Sequence, residues 1–233
     1  MRFTFQFDPI FAAWPIIVDG LILTVQLSAG AIVLGFALAV LLSAARALGP
    51  RSVGVVVDAY VELMRNTPFL VQLFIVFFGL PELGIRLSAS QSALLAMTLN
   101  LSAYSTEIVR AGVESIHPAQ LEAGHALALT PRQVFQHVVL VPAVAKVWPA
   151  LSSQFVLMLL ASSITSFISV QELSGTAAVI ESRSFRSIES YLVATGLYLA
   201  LALVLKAVLW GIGRLAFPRV SGLARVQTKG EAA

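Results

Sequence analysis

Long apolar stretches separated by short polar breaks dominate the chain. Residues 16–45 are nearly continuous Ile, Leu, Val, Ala and Gly, and the run ends at Arg46 and Arg51. A helix needs about 20 apolar residues to cross about 30 Å of hydrocarbon, so this run predicts a first membrane span. From 53 to 80 the apolar run is interrupted by Asp58, Glu62, Arg65 and Pro68. That pattern predicts a composite span, water-exposed or protein-buried at its start and lipid-compatible afterwards, with Pro68 bending it and freeing carbonyls. Residues 90–109, 149–170 and 191–212 predict a third, fourth and fifth span. The expected fold class is therefore all-α, a polytopic membrane protein with five transmembrane helices in one transmembrane domain over residues 1–233.

Composition agrees with lipid as the main solvent. Of the 233 residues 58% are hydrophobic and 12% charged, against about 45–50% and about 25% in soluble domains. Soluble, disordered and fibrous classes are excluded. Without cysteine there is no disulfide framework, thiolate nucleophile or Cys-ligated metal. The net charge of +3 reads as membrane topology, and no nucleic-acid partner is expected. If the N-terminus is outside, the outer segments hold Arg2, Arg86, Arg183 and Arg186, and the other 11 of the 15 Lys and Arg residues fall on inner segments. Basic residues accumulate on the cytoplasmic side, so the expected orientation is N-terminus out and C-terminus in. The opening Met-Arg-Phe-Thr-Phe-Gln-Phe-Asp lacks the apolar core and small-residue site of a signal peptide, and no cleaved leader is expected.

The segment 110–148 between the third and fourth spans is far longer than the roughly 2–8 residues that join helices in bundles. Pro118 suits a first helical position and Ala119–Ala128 is rich in Ala and Leu, which predicts a short helix with Glu122 in its early turns. Thr130-Pro131-Arg132-Gln133 then reads as a capping box, with Val134, Val138 and Val141 on one face, and predicts a second short helix turning away from the first. His117, His125 and His137 all lie here at spacings of 8 and 12. Zinc favours closer ligand pairs, so no metal site is expected.

Gln120-Leu121-Glu122-Ala123-Gly124-His125-Ala126-Leu127-Ala128, with Phe135 and Val138-Val139-Leu140-Val141-Pro142 behind it, resembles the EAA loop of permease subunits in bacterial ABC importers. Tyr60 to Leu73, and Tyr104 to Ile116 leading into the EAA stretch, resemble the signatures of the polar amino-acid uptake permeases. The resemblance covers about residues 15–215. It implies a permease in the bacterial plasma (inner) membrane, with 110–148 as its cytoplasmic coupling-helix loop. It also implies an ABC ATPase subunit dimer, a second permease subunit of the same or a related chain, an external solute-binding protein and a polar amino-acid substrate. The chain has no Gly-x-x-x-x-Gly-Lys-Ser/Thr phosphate loop, so ATP would be bound by the partner, with no cofactor and no catalytic residue in this chain. Glu122, Ala123, Gly124 and Ala128 are the implied ATPase-coupling residues. Relatives usually carry Ala in place of Gly124 and Gly in place of Ala128, so the helix is expected to be looser at one end and less kinked at the other. The proline of the usual Leu-Pro-Gln pattern is shifted to Pro142, and the lysine that many relatives carry before the fourth-span Thr-Ser pair is absent at Leu160-Ala161-Ser162-Ser163.

Charged and hydroxylic positions inside the spans supply the remaining candidates. Glu62 with Arg65, and Glu107 with Arg110, stand three apart and are expected to pair along one helix face as structural or gate ion pairs. Ser162, Ser163, Thr165 and Ser166 cluster in the fourth span with Glu172 near its outer end. Ser162, Ser163 and Ser166, with Ser102, Tyr104 and Gln72, are the substrate-path candidates, because a zwitterionic solute needs both donors and acceptors. The bland alternative for each is interhelical packing, in which hydroxyls contribute under about 1 kcal/mol. An intramembrane hydrolase lacks a base beside its serines, since every histidine lies in the loop. A gradient-driven secondary transporter of small polar solutes is the other reading, although no inverted repeat or mid-span acid is visible.

Overall fold

A computed structural model describes residues 5–217, except for the His125 side chain; Arg2 of the outer charge count lies outside them. The described residues are helical with no strand. A short helix α1 (Asp8–Ala12) leads into α2 (Trp14–Leu48), whose buried face is a row of mostly small residues: Gly20, Thr24, Ser28, Ala31, Gly35, Ala39 and Ser43. Spacings of three and four keep these on one side of the helix and let neighbouring backbones approach closely. A Cβ at Gly35 would lie 3.1 Å from both the Leu101 Cβ and the Thr98 carbonyl.

Gly49 and Pro50 end α2 and start α3 (Arg51–Arg65). The expected composite span over 53–80 is broken rather than merely bent at Pro68. It is two helices, α3 and α4 (Phe69–Phe74), turned by 108° at a break before Phe69. Pro68 has no N–H and drives Thr67 out of the helical region, so the chain turns rather than kinks. A π-turn over Ile75–Gly79 and α5 (Leu80–Glu82) complete this arm. α6 (Ala89–Glu114) starts at a capping box in which Ser88 and Gln91 satisfy each other's backbone N–H groups.

In the long segment after α6, α7 (Pro118–Ala126) is the first expected short helix. The Thr130–Gln133 capping box also forms, at α8 (Pro131–Gln133). The second short helix does not stand apart, however. It continues through a π-stretch, Val134–Leu140, into α9 (Val141–Ala161) and a 3₁₀ turn, Ser162–Ile168. The fourth helix therefore begins at Pro131 rather than 149, and helical winding continues through Pro142. A proline inside a helix removes a hydrogen bond and crowds the carbonyl four residues back; the wider π winding just before Pro142 absorbs both effects. The expected loop 110–148 shrinks accordingly to the residues between α6 and α8, with α7 as its helix.

Two helices follow, α10 (Leu173–Ser184), which the apolar pattern did not reveal, and α11 (Ser187–Ala216). By length and composition three described helical segments can cross a membrane, Trp14–Leu48, Pro131–Ile168 and Ser187–Ala216, or four if the bent α3–α5 arm counts as one. The five-span count is not reached on that criterion. α6 is long enough but too polar, because it runs between α2, α3, α4 and α9 and buries Asn100, Ser102, Ser105 and Thr106 against them. A helix enclosed by other helices needs no apolar surface for lipid. The main core, with Leu73, Met97, Leu101, Leu151 and Phe155, sits around it.

Candidate functional site

α7 has two faces. Leu121 turns inward and, with Leu129, Val113 and Ile116, packs on Val134, Phe135 and Val139. Gly124 is buried beside them, where a Cβ would lie 3.2 Å from the Val134 Cγ2 and 3.5 Å from the Val138 Cγ2. The close approach that Gly124 permits is thus to its own chain. Glu122, Ala123 and Ala128 are exposed on the outside. Ala128 has φ of +53°, the left-handed region where glycine is the unstrained residue. Ala128 is expected to leave this end less kinked, yet the chain turns there, with the Leu127 and Leu129 N–H groups donating to the carbonyls of Ala123 and Gly124. The His117 Nδ1 accepts from the Ala119 N–H and the His137 ring meets the Gln133 carbonyl, so both histidines are engaged locally.

Where α3 meets α6, one of the two expected ion pairs forms. Arg110 donates twice to Glu107, at 2.5 and 2.8 Å, and also reaches Glu114. Glu62 and Arg65 do not pair. Arg65 turns across to Glu107 at 3.4 Å and over the Tyr104 ring, while Glu62 is exposed without an ion pair among the described residues. Glu107, carrying Arg110 already, is the less exposed acid and stands across the helix junction. Tyr104 completes the clasp by donating to the Arg65 carbonyl at 3.4 Å.

Gln72 is buried at the break between α3 and α4. Its amide donates to the Met64 and Thr67 carbonyls and to the Thr67 hydroxyl at 2.8–3.1 Å, and its oxygen accepts from Asn100 at 2.9 Å. These include carbonyls left over by the missing helical turn. Ser102 is also fully buried, its hydroxyl 2.7 Å from that of Tyr60 and bonded to the Leu99 carbonyl.

The fourth-span hydroxyls share one device. Ser162, Ser163, Thr165 and Ser166 each donate to the carbonyl three residues earlier, at 2.7–2.8 Å. Such back-bonding tightens the helix and accounts for its 3₁₀ winding. Ser162 is enclosed, while Ser163 and Ser166 are half-buried.

Sequence reasoning placed Glu172 near the end of a span but missed what it does. It is fully buried and caps α10, accepting from the Gly175 N–H at 2.9 Å and from the Tyr198 hydroxyl of α11. Beside it the Thr24 hydroxyl of α2 accepts from the Leu173 N–H at 3.0 Å and donates to the Gly20 carbonyl at 2.9 Å. The helix start offers its N–H groups to the carboxylate, so no cation is needed. The visible signal was the Glu-Leu-Ser-Gly stretch, an acid three residues before glycine at a helix start. α2, α10 and α11 are thereby tied together behind the 3₁₀ turn.

Residues 31–212 match the family described as binding-protein-dependent transport system inner membrane component. The chain belongs to this family. Among relatives, the L-cystine transport system permease protein TcyB of Bacillus subtilis (strain 168) is 35% identical over 75% of each chain. The nopaline transport system permease protein NocM of Agrobacterium fabrum (strain C58) is 29% identical over 86% of this chain and 89% of its own. A crystal structure of an amino acid ABC transporter with histidines has a chain that superposes with a TM-score of 0.82 at 30% identity, over 91% of this chain and 99% of that one. A chain of the inward-facing MetNI methionine ABC transporter shares the fold at 17% identity, with a TM-score of 0.74 over 86% of this chain and 96% of that one. This family member is thus a multi-pass membrane permease subunit of an ABC importer. ATP hydrolysis and solute capture belong to separate ATPase and binding-protein subunits.

Proposed function

We propose that the chain is the permease of a polar amino-acid importer, driven by a pair of ABC ATPase subunits that engage α7 and supplied by an external binding protein. The observation that carries the coupling half is the division of α7, with Leu121 and Gly124 packed on the helix that begins at Pro131 and Glu122 and Ala123 left outside. A push on the outer face therefore acts on the base of the fourth helix. The names of the relatives support amino acids as solutes, and ATP would be bound by the partner alone. A second permease, the same chain or a related one, closes the pathway. In this reading α6 is the fifth crossing, the N-terminus is outside and the C-terminus cytoplasmic in a bacterial inner membrane. Ser163 and Ser166 are the solute-facing hydroxyls, Ser162 supports their turn, and Gln72, Ser102 and Tyr104 hold the frame. Glu107, Arg110 and Arg65 clasp the inner end.

The test is co-purification in mild detergent, then ATPase and vesicle-uptake assays. Glu122→Arg is expected to leave insertion intact while ATP hydrolysis no longer rises with loaded binding protein. Coupling unchanged by that substitution removes Glu122 from the contact.

A further inference from the structure

α11 carries an outward stripe in which Leu199 and Leu203 are 59% and 58% exposed, and Lys206, Trp210 and Arg214 extend it at steps of three and four toward the C-terminal end. Steps of three and four keep these residues on one helix face. The rotation of α11 is pinned on another side. The Trp148 indole N–H donates to the Leu209 carbonyl at 3.0 Å, and a Cβ at Gly213 would lie 2.4 Å from that nitrogen. The stripe therefore cannot roll inward. The Arg214 guanidinium lies 3.7 Å over the Trp210 ring, and Trp210 is 60% exposed. Neither Lys206 nor Arg214 has an ion pair with a described residue.

A lipid-facing ammonium without a counterion is strongly disfavoured in hydrocarbon, and Lys206 stands about 15 Å inside the last residue of the helix. Lysine in such a place extends along the helix toward the interface, here toward Trp210 and Arg214. Tryptophan settles at headgroup level, and basic side chains there attract anionic lipid phosphates. We propose that Lys206, Trp210 and Arg214 form a binding site for the phosphate headgroup of an anionic phospholipid in the leaflet at the C-terminal end of α11. The acyl chains run along Leu203 and Leu199. The lipid supplies the counterion that the described residues do not.

The complex with its ATPase, wild type or Lys206→Gln/Arg214→Gln, is loaded with equal phosphatidylglycerol and phosphatidylcholine, washed, and its retained lipid counted by native mass spectrometry. Wild type is expected to prefer phosphatidylglycerol by about fivefold or more and the double variant to lose the preference. Equal preference in both, or none in wild type, overturns the proposal. Wild-type and Trp210→Phe complexes in nanodiscs with brominated lipids give a reading that does not depend on the charge variant assembling. The Trp210 signal, taken by difference, is expected to be quenched more by brominated phosphatidylglycerol than by brominated phosphatidylcholine. Equal quenching overturns the site, and so does insensitivity to both lipids, which would place the stripe against a second permease.

Discussion

Replacing Gln72 by Met removes the side chain that holds the 108° turn between α3 and α4 while keeping its volume. The amide has two hydrogens shared among three acceptors and one oxygen accepting from Asn100, so three bonds' worth of interaction is lost. At about 0.6 kcal/mol each, as in membrane helices, to about 1 kcal/mol each, as in buried protein sites, the loss comes to about 2–3 kcal/mol. The assay is SDS-titrated unfolding of the detergent-purified subunit, followed by circular dichroism, with initial uptake rates measured in parallel. Asn100→Leu closes a double-mutant cycle. Because the Asn100 amide touches Gln72 at 2.9 Å, a coupling of about 1 kcal/mol is expected. A shift below about 0.5 kcal/mol refutes the assignment of Gln72 to the turn. Lost uptake at unchanged stability would instead place Gln72 against the solute.

Ala128→Gly relieves a left-handed backbone position and is expected to raise protection of α7 amides in hydrogen exchange, by about 1 kcal/mol; unchanged protection contradicts strain there. Gly20→Ala drives a Cβ to 2.4 Å from the Thr176 hydroxyl and is expected to lower thermal stability by about 1–3 kcal/mol. Thr176→Ala added to it should recover most of the loss, and no recovery would mean the clash is not with Thr176. Glu107→Gln leaves Arg65 without its ion pair and Arg110 with Glu114 alone. Its groups are partly exposed, so about 0.5–1 kcal/mol is expected at low salt and less at high salt; a loss indifferent to salt argues against a charge clasp.

Much of this was legible because membrane helices announce themselves by length and apolarity. α2, α11 and the two capping boxes, at Thr130 as expected and at Ser88 by the same grammar, follow from local pattern alone. Errors came where tertiary context overrides it. Arg65 chose Glu107 on another helix over Glu62 on its own, a choice that no spacing along one helix reveals. Gln72 and Ser102 read as solute-path candidates in the sequence, which does not show the backbone and side-chain partners they have in the fold, because polar groups inside spans look alike. α10 is short and of mixed polarity, so only its Glu172 cap marked it. Pro142 reads as the end of a short helix in a linear reading, whereas helical winding runs through it after the π-stretch.

The unbroken run from Pro131 to Ile168 has a mechanical meaning. Its 38 residues make a rod about 57 Å long, with α7 seated on one end and the serine-rich turn at the other. Rotation by about 5° about its middle carries each tip by about 2.5 Å in opposite senses, enough to swap one side-chain contact for the next. The π-stretch and Pro149 put what compliance the lever has in its driven half. In the coupling proposed above, the remaining arm carries the stroke toward the hydroxyls of Ser163 and Ser166.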